Sequence, residues 1–243
     1  MTHVEWIVPD EVPSGIAALH LKRYEFALSW ARGAEVLDAG CGAGYGSSLL
    51  AAEARRVVAV DRSAEALAYG RAHYAAANLE FVQADLMDLP FADRSFDVVC
   101  AFETIEHVDD QAKLVREAAR LLRPGGTFLV STPRVERTTR APENPFHRIE
   151  FAATDLEHLL RTAFDGVELY GQRRRQTRRH RLMRRLDKLG LRRRLSPSLL
   201  RSAARLTGTA PTSDVEPGGI VIERGAVEGA TELLAVCTRP RAR

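Results

Sequence analysis

The sequence predicts a doubly wound α/β fold built on a mostly parallel sheet, and three observations carry that expectation. Short β-branched apolar runs alternate with stretches rich in Ala, Leu, Glu and Arg from residue 34 onward. The stretches between the runs are long enough to be crossover helices, which parallel strands require. The first apolar run ends in a cluster of glycines where a strand would turn into a helix. Composition agrees, because 243 residues with 45% hydrophobic and 28% charged side chains can fill a sizeable core. No apolar run approaches the roughly 18 residues of a membrane span, and runs such as 57–60 are strand-sized.

Taken in order, strands are expected over residues 35–39, 56–60, 79–84, 96–102 and 127–131, and helices over 47–54, 64–76 and 111–122. Ahead of the first strand, residues 20–27 read as a helix that could pack through Leu21, Tyr24 and Leu28. Ser63 can cap the helix that follows it, although Ala66 three residues on supplies only half a capping box. Arg123-Pro124-Gly125-Gly126 is a stop signal followed by a turn. Thr154 is expected to cap a helix running through Arg161, and 167–170 and 232–237 supply a sixth and a seventh strand. The chain 1–243 thus reads as one domain, with a basic insert and loop over 172–219 between its last two strands.

Charge is concentrated in that insert. Net charge is only +3, yet residues 171–205 hold 14 Lys or Arg against the single acid Asp187. Leu182, Leu186 and Leu189 recur at helical spacing, so a short amphipathic helix is expected before Ser196-Pro197, with a flexible loop over 208–219. Such a segment could lie on an anionic membrane surface, neutralise phosphates of nucleic acid or a nucleotide sugar, or dock its leucines on the domain with the arginines solvated. It contains no aromatic residue for base stacking, which weighs against nucleic acid.

Residues 1–15 carry Glu5, Asp10 and Glu11 and neither a basic start nor an apolar segment, so no secretory signal is expected. Cys41, Cys100 and Cys237 are far apart and odd in number, which reads as reduced thiols in a cytoplasmic protein with no structural metal site.

The chemistry is expected at the strand ends. In Leu37-Asp38-Ala39-Gly40-Cys41-Gly42-Ala43-Gly44-Tyr45-Gly46 the glycines fall at every second position, which lets a ligand lie against the main chain in the crevice at the carboxyl ends of the strands. A dinucleotide fingerprint fails in both registers, since its third small residue would be Tyr45 or Ser47. A nucleoside without a diphosphate fits better. Asp61 closes the second strand, where a carboxylate can accept two hydrogen bonds from a ribose diol, and Asp85 ends the third, where one can receive an exocyclic amine.

Residues 36–46, Asp61, Asp85-Leu86, Phe96-Asp97-Val98-Val99 and Leu122-Arg123-Pro124-Gly125-Gly126, in this order, resemble class I S-adenosylmethionine-dependent methyltransferases over about residues 24–170. The resemblance implies a Rossmann-like seven-stranded sheet and S-adenosylmethionine as cofactor. It implies that Gly40, Gly42 and Gly44 approach the methionine and ribose parts, that Asp61 holds the ribose hydroxyls, and that Asp85 with Leu86 reads adenine. Asp38 would position the loop and the amino acid end, Tyr24 with Arg23 could form a lid, and Cys41, Arg62 and Phe102 complete the expected contacts.

On the acceptor side, Glu103-Thr104-Ile105-Glu106-His107-Val108 resembles a Glu-x-x-x-His-Val segment of the ubiquinone- and sugar-methyltransferase-like branch. A hydroxyl acceptor must lose a proton, so His107 is the first candidate for general base, with Glu103 orienting it or lining the sulfonium. The alternative is a helix-starting histidine bonded to nearby backbone. His147, in Asn144-Pro145-Phe146-His147-Arg148-Ile149-Glu150-Phe151, is the other candidate; this stretch resembles one in methyltransferases of glycan, glycolipid and natural-product pathways. Its alternative is a surface loop fixed by Pro145. The function expected is methyl transfer to a small molecule or glycan acceptor, most readily at oxygen. An RNA methyltransferase, or a silent methyltransferase fold that binds partners through the insert, are the alternatives. Cytoplasmic location, with peripheral attachment at the inner membrane surface, completes the expectation.

Overall fold

The computed structural model describes residues 6–174 and 219–241. The expected amphipathic helix and most of the basic insert lie outside the described residues. In chain order the elements are α1 (Ser14–Ala31), β1 (Glu35–Ala39), α2 (Tyr45–Ala51), β2 (Arg56–Asp61), α3 (Ala64–His73), β3 (Leu79–Gln83), β4 (Phe96–Phe102), α4 (Gln111–Leu121), β5 (Leu122–Pro133), α5 (Ala153–Arg161), β6 (Phe164–Arg174), β7 (Ile220–Arg224) and β8 (Glu232–Pro240). The sheet order is β3-β2-β1-β4-β5-β8-β6-β7. β1 to β5 pair in parallel, whereas β8, β6 and β7 join antiparallel.

The parallel centre follows from the apolar runs. Val36 and Leu37 of β1 and 57–60 of β2 are buried on both faces, which a sheet covered by helices on each side demands. On one face Leu114, Val115 and Leu121 of α4 and Leu156 and Leu160 of α5 pack on Phe128, Val130 and Phe164. On the other, Tyr24, Ala27 and Ala31 of α1 and Leu50 of α2 pack on Val36, Val57, Cys100 and Leu129. All three cysteine thiols are buried.

Four local features differ from expectation. The described sheet has eight strands, because Ile220-Val221-Ile222-Glu223-Arg224 forms β7 and pairs with β6 from Tyr170↔Arg224 to Arg174↔Ile220. The basic insert therefore leaves β6 and returns into β7 at the outer edge of the sheet, not directly into the final strand. The Pro-Gly-Gly turn is absorbed into β5 as a bulge: pairing shifts from Phe96↔Leu122 to Val98↔Thr127. Gly125 takes φ +85° within it. Asp97 secures this bulge, accepting a 2.9 Å ion pair from Arg123 and a 2.8 Å hydrogen bond from the Glu35 N–H of β1. Finally, Thr154 does not cap α5. The N-cap is Ala152, whose N–H donates to the Thr138 hydroxyl at 2.9 Å, and that hydroxyl donates in turn to Asp155 in the first turn. Ser63 does cap α3, accepting from the Ala66 N–H at 3.2 Å, and Asp110 caps α4 through the Lys113 N–H at 2.8 Å.

No described helix is long and apolar enough to cross a membrane. The rings of Phe128 and Phe164 stack 5.7 Å apart in the centre of the larger core, both fully buried. Phe128→Ala is expected to cost about 3–5 kcal/mol, read as a fall in the denaturant midpoint with little change of slope.

Candidate active site

A cavity of about 620 Å³ opens at the carboxyl ends of β1 to β4, where the strand order reverses between β1 and β4. Of the residues singled out in the sequence, Tyr24, Gly40, Cys41, Gly42, Asp61, Arg62, Asp85, Leu86, Phe102, Glu103, His107 and His147 line it. Asp38 and Gly44 do not.

The glycine loop is held from β2. The Val60 carbonyl accepts from the N–H groups of Gly40 and Cys41 at 2.8 and 2.9 Å. Asp61, the next residue, accepts from the Gly42 N–H through Oδ2 and from the Ser63 N–H through Oδ1, both at 2.9 Å. One carboxylate thus ties the loop to the start of α3, and each oxygen keeps a lone pair for a ligand. Gly40 has φ +82°, and a Cβ there would strike the Thr104 side chain at 2.5 Å. Gly40 is therefore required by the protein's own packing.

Asp38 lies beneath this loop, fully buried. It accepts a 2.6 Å hydrogen bond from the Ser47 hydroxyl, and the Tyr24 hydroxyl lies 3.3 Å from both oxygens. Burial, opposed by these bonds and aided by nearby Asp61, pushes its carboxyl up to about 6. Its place is that of a loop support, and the expected contact with the amino acid end is not made by a cavity-lining atom. Tyr24 lines the cavity and is also a support: it is buried, stands edge-on to Tyr45 and Phe102, and its ring packs where a side chain at position 46 would otherwise sit. Arg23, only 1% exposed, pairs with Glu103 at 3.8 Å and donates to Gln172 at 3.4 Å. At the opposite end of the cavity Asp85 accepts from the Met87 N–H at 2.8 Å beside Leu86, and Trp6 leans on Tyr69 of α3 with ring centroids 5.8 Å apart.

The other half of the cavity joins the turn after β4 to the loop after β5. Glu103 adopts φ +50°, a left-handed conformation costing of order 1 kcal/mol or more in a residue other than glycine. Its N–H donates to the Ser131 carbonyl, and the Ser131 hydroxyl donates to its Oε1 at 2.8 Å. Burial would raise its carboxyl, but Arg23 and Ser131 outweigh that and hold it below the usual range. Glu106 is fully buried, with neither carboxylate oxygen hydrogen-bonded, and burial together with the charge of Glu103 drives its carboxyl well upward. Burial and Glu103 also push Glu232 up to about 9, and burial with Arg23 lowers His20 to about 3.

His107 and His147 meet edge to face, centroids 4.8 Å apart. His107 Nδ1 lies 3.1 Å from the Phe146 carbonyl, and His147 Nδ1 lies 2.8 Å from Glu150 Oε1. The Arg148 N–H donates to the Glu106 carbonyl at 2.7 Å and so pins the two segments together. His20, Thr104, Glu106 and Asn144 also line the cavity, although the sequence suggested no role for them. Glu106 had a signal in its place within Glu103-x-x-Glu106-His107; His20 had none.

The buried Asp38 has a testable signature. A carboxyl raised in the folded state contributes stability that is fully present below its unfolded pKa, near 4, and lost as pH rises through about 6. Asp38→Asn is therefore expected to gain stability relative to the wild type between pH 4 and 7. The gain should grow across that range to about 3 kcal/mol at pH 7, or roughly 6–12 °C in Tm, followed by thermal denaturation of both proteins.

Residues 37–130 match the family model described as a methyltransferase domain. A probable S-adenosylmethionine-dependent methyltransferase of Mycolicibacterium smegmatis is 47% identical over 141 residues, covering 56% of this chain and 53% of the relative. A ubiquinone biosynthesis O-methyltransferase of Xylella fastidiosa is 33% identical over 141 residues, covering 57% and 54%. The chain spans about half the length of the curated relatives it matches. The crystal structure of an S-adenosylmethionine-dependent methyltransferase from Thermotoga maritima superposes with a TM-score of 0.63 at 16% identity, over 94% of this chain and 95% of that one. The strand order and the loop after β1 give the chain the fold of the solved S-adenosylmethionine-dependent methyltransferases, and its residues 37–130 are similar to the methyltransferase domain of the curated relatives.

Proposed function

We propose that the protein transfers the methyl group of S-adenosylmethionine to an oxygen of a hydroxylated small molecule, free or carried on a glycan or glycolipid. The observation that carries this reading is one continuous cavity with two unlike ends. One end has a glycine edge and the carboxylates of Asp61 and Asp85; the other has two histidines. The name of the Xylella fastidiosa relative supports oxygen as the methylated atom.

The residues present fit the cofactor. Gly42 offers main chain without a side chain at the cavity wall, and Asp61 and Asp85 each accept a single backbone N–H per bonded oxygen, leaving acceptor capacity for ribose hydroxyls and an exocyclic amine. When bound, S-adenosylmethionine supplies an already activated methyl group. The protein's own work is then to place the acceptor in line and receive its proton. The Nδ1 contacts of His107 and His147 are with oxygen acceptors, so each Nδ1 carries the proton and each Nε2 is the basic nitrogen. His107 takes the acceptor's proton, His147 is oriented by Glu150, and Glu103 presents negative charge towards the sulfonium. The chain 1–243 acts as one methyltransferase domain, and the arginines of 172–219 meet an anionic acceptor or membrane surface.

S-adenosylhomocysteine is expected to bind the wild type saturably in calorimetry, and Asp61→Ala to weaken it tenfold or more, the scale of about 1.4 kcal/mol for lost charged hydrogen bonds. Absence of binding to a folded wild type would sink the reading. With an acceptor found by screening hydroxylated compounds, His107→Ala is expected to lower turnover by a factor of 100 or more at unchanged S-adenosylhomocysteine affinity. Unchanged turnover would remove His107 from proton transfer.

A further inference from the structure

We propose that Glu106, His107 and His147 form a seat for a divalent transition-metal cation at the acceptor end of the cavity. Each residue offers one ligand atom, and these atoms lie within 4.8 Å of one another. A cation at their centre needs side-chain movements of under about 1 Å to reach bonds of about 2.0–2.2 Å. The segments that carry them are already joined by the Arg148 N–H to Glu106 carbonyl bond of 2.7 Å, so the seat is assembled by the backbone.

Two further observations point to a cation. Glu106 is fully buried and lines the cavity, yet neither carboxylate oxygen has a hydrogen-bond partner. A cation provides that partner. Both histidines also show the outer-shell pattern of metal ligands: Nδ1 of His107 sits on a backbone carbonyl and Nδ1 of His147 on the Glu150 carboxylate, which orients each ring and makes Nε2 the ligating nitrogen. The Asn144 amide now donates to His147 Nε2 at 2.9 Å, and this exposed side chain must turn away for the cation to enter.

Two imidazoles and one carboxylate favour Zn²⁺, Mn²⁺, Co²⁺ or Fe²⁺ over Mg²⁺ and Ca²⁺, which prefer oxygen ligands throughout. Three protein ligands leave positions open, as catalytic sites do. What the cation does rests on the methyl-transfer reading. It would bind oxygens of the acceptor and lower the hydroxyl's pKa, selecting compounds with two neighbouring oxygens such as a diphenol or vicinal diol. In that state His107 Nε2 would be a ligand in place of a base, and the acidified hydroxyl would lose its proton to solvent water. That the cation binds does not depend on this reading.

The test uses the untagged chain 1–243, stripped with chelator. Zn²⁺ is titrated calorimetrically, and Co²⁺ is followed by its visible absorption. The wild type is expected to bind one Zn²⁺ per chain in the micromolar range, and Glu106→Gln and His147→Ala each to weaken binding at least tenfold and to change or abolish the Co²⁺ spectrum. S-adenosylhomocysteine titration of the same variants serves as the folding control. Absence of saturable Zn²⁺ binding to the wild type, or equal affinity in both variants, overturns the proposal. Zn²⁺ binding lost in the variants while the wild type fails to bind S-adenosylhomocysteine would uphold the seat and overturn the methyl-transfer reading.

Discussion

Two neighbouring acceptors at the end of β2, the Val60 carbonyl and the Asp61 carboxylate, shape the ligand crevice. Between them they take the N–H groups of Gly40, Cys41 and Gly42, the three residues that carry the chain from β1 towards α2. Asp61 also takes the Ser63 N–H, so the entry into α3 is set by the same group. Because β1 and β2 pair in fixed register from Glu35↔Arg56 to Ala39↔Val60, the loop cannot slide without breaking the ladder. The buried Asp38 completes the arrangement from below, holding Ser47 of α2 and Tyr24 of α1. Loop, two helix entries and the inner helix α1 are thus positioned by two carboxylates and one carbonyl.

The half of the cavity beside β4 and β5 is organised by a different balance. Arg23, Glu103, Glu106 and Glu232 gather charge-bearing groups out of water, with Arg23 the cation that offsets the ionised Glu103. Isolated buried charges are too costly to keep, so Glu106 and Glu232 are driven towards their neutral forms, and His20 beside Arg23 stays uncharged. The strained backbone at Glu103 is maintained by the Ser131 bonds on β5. A polar floor of this kind sits where a fold governed by packing alone would place apolar side chains, and buried groups of perturbed charge are one of the features by which a candidate site is recognised.

At the far edge of the sheet, β7 gives the basic insert a structural address. Its outward side chains form ion pairs with β6, Arg173 with Glu223 and Arg224 with Glu168, and charged side chains are one of the devices that keep an exposed edge strand from pairing with another chain. The insert therefore departs from and returns to the antiparallel side of the sheet, several strands from the reversal between β1 and β4 where the cavity lies.

The parallel half of the fold, and the glycine loop and carboxylates that line one end of the cavity, were legible in the sequence alone. Both are written in local patterns: apolar runs buried on two faces, glycines at a strand end, and Asp61 and Asp85 at the ends of the next two strands. The same local reading missed β7, which is a short edge strand only because β6 lies beside it, and placed a cap at Thr154 when Thr138, distant in sequence, supplies the bonding at Ala152 and Asp155. That Tyr24 packs on Asp38 while also lining the cavity follows from where α1 lies, which residues 20–27 alone do not fix. The acceptor end was legible only as separate candidates. That Glu106, His107, His147 and Glu150 share one cluster, with His20 and Arg23 lining and supporting its floor, depends on strands β4 and β5 bringing together segments some 40 residues apart and on α1 crossing beneath them. Side-chain identity sets what each group can do, but only tertiary structure decides which groups lie close enough, and far enough from water, to alter one another's charge.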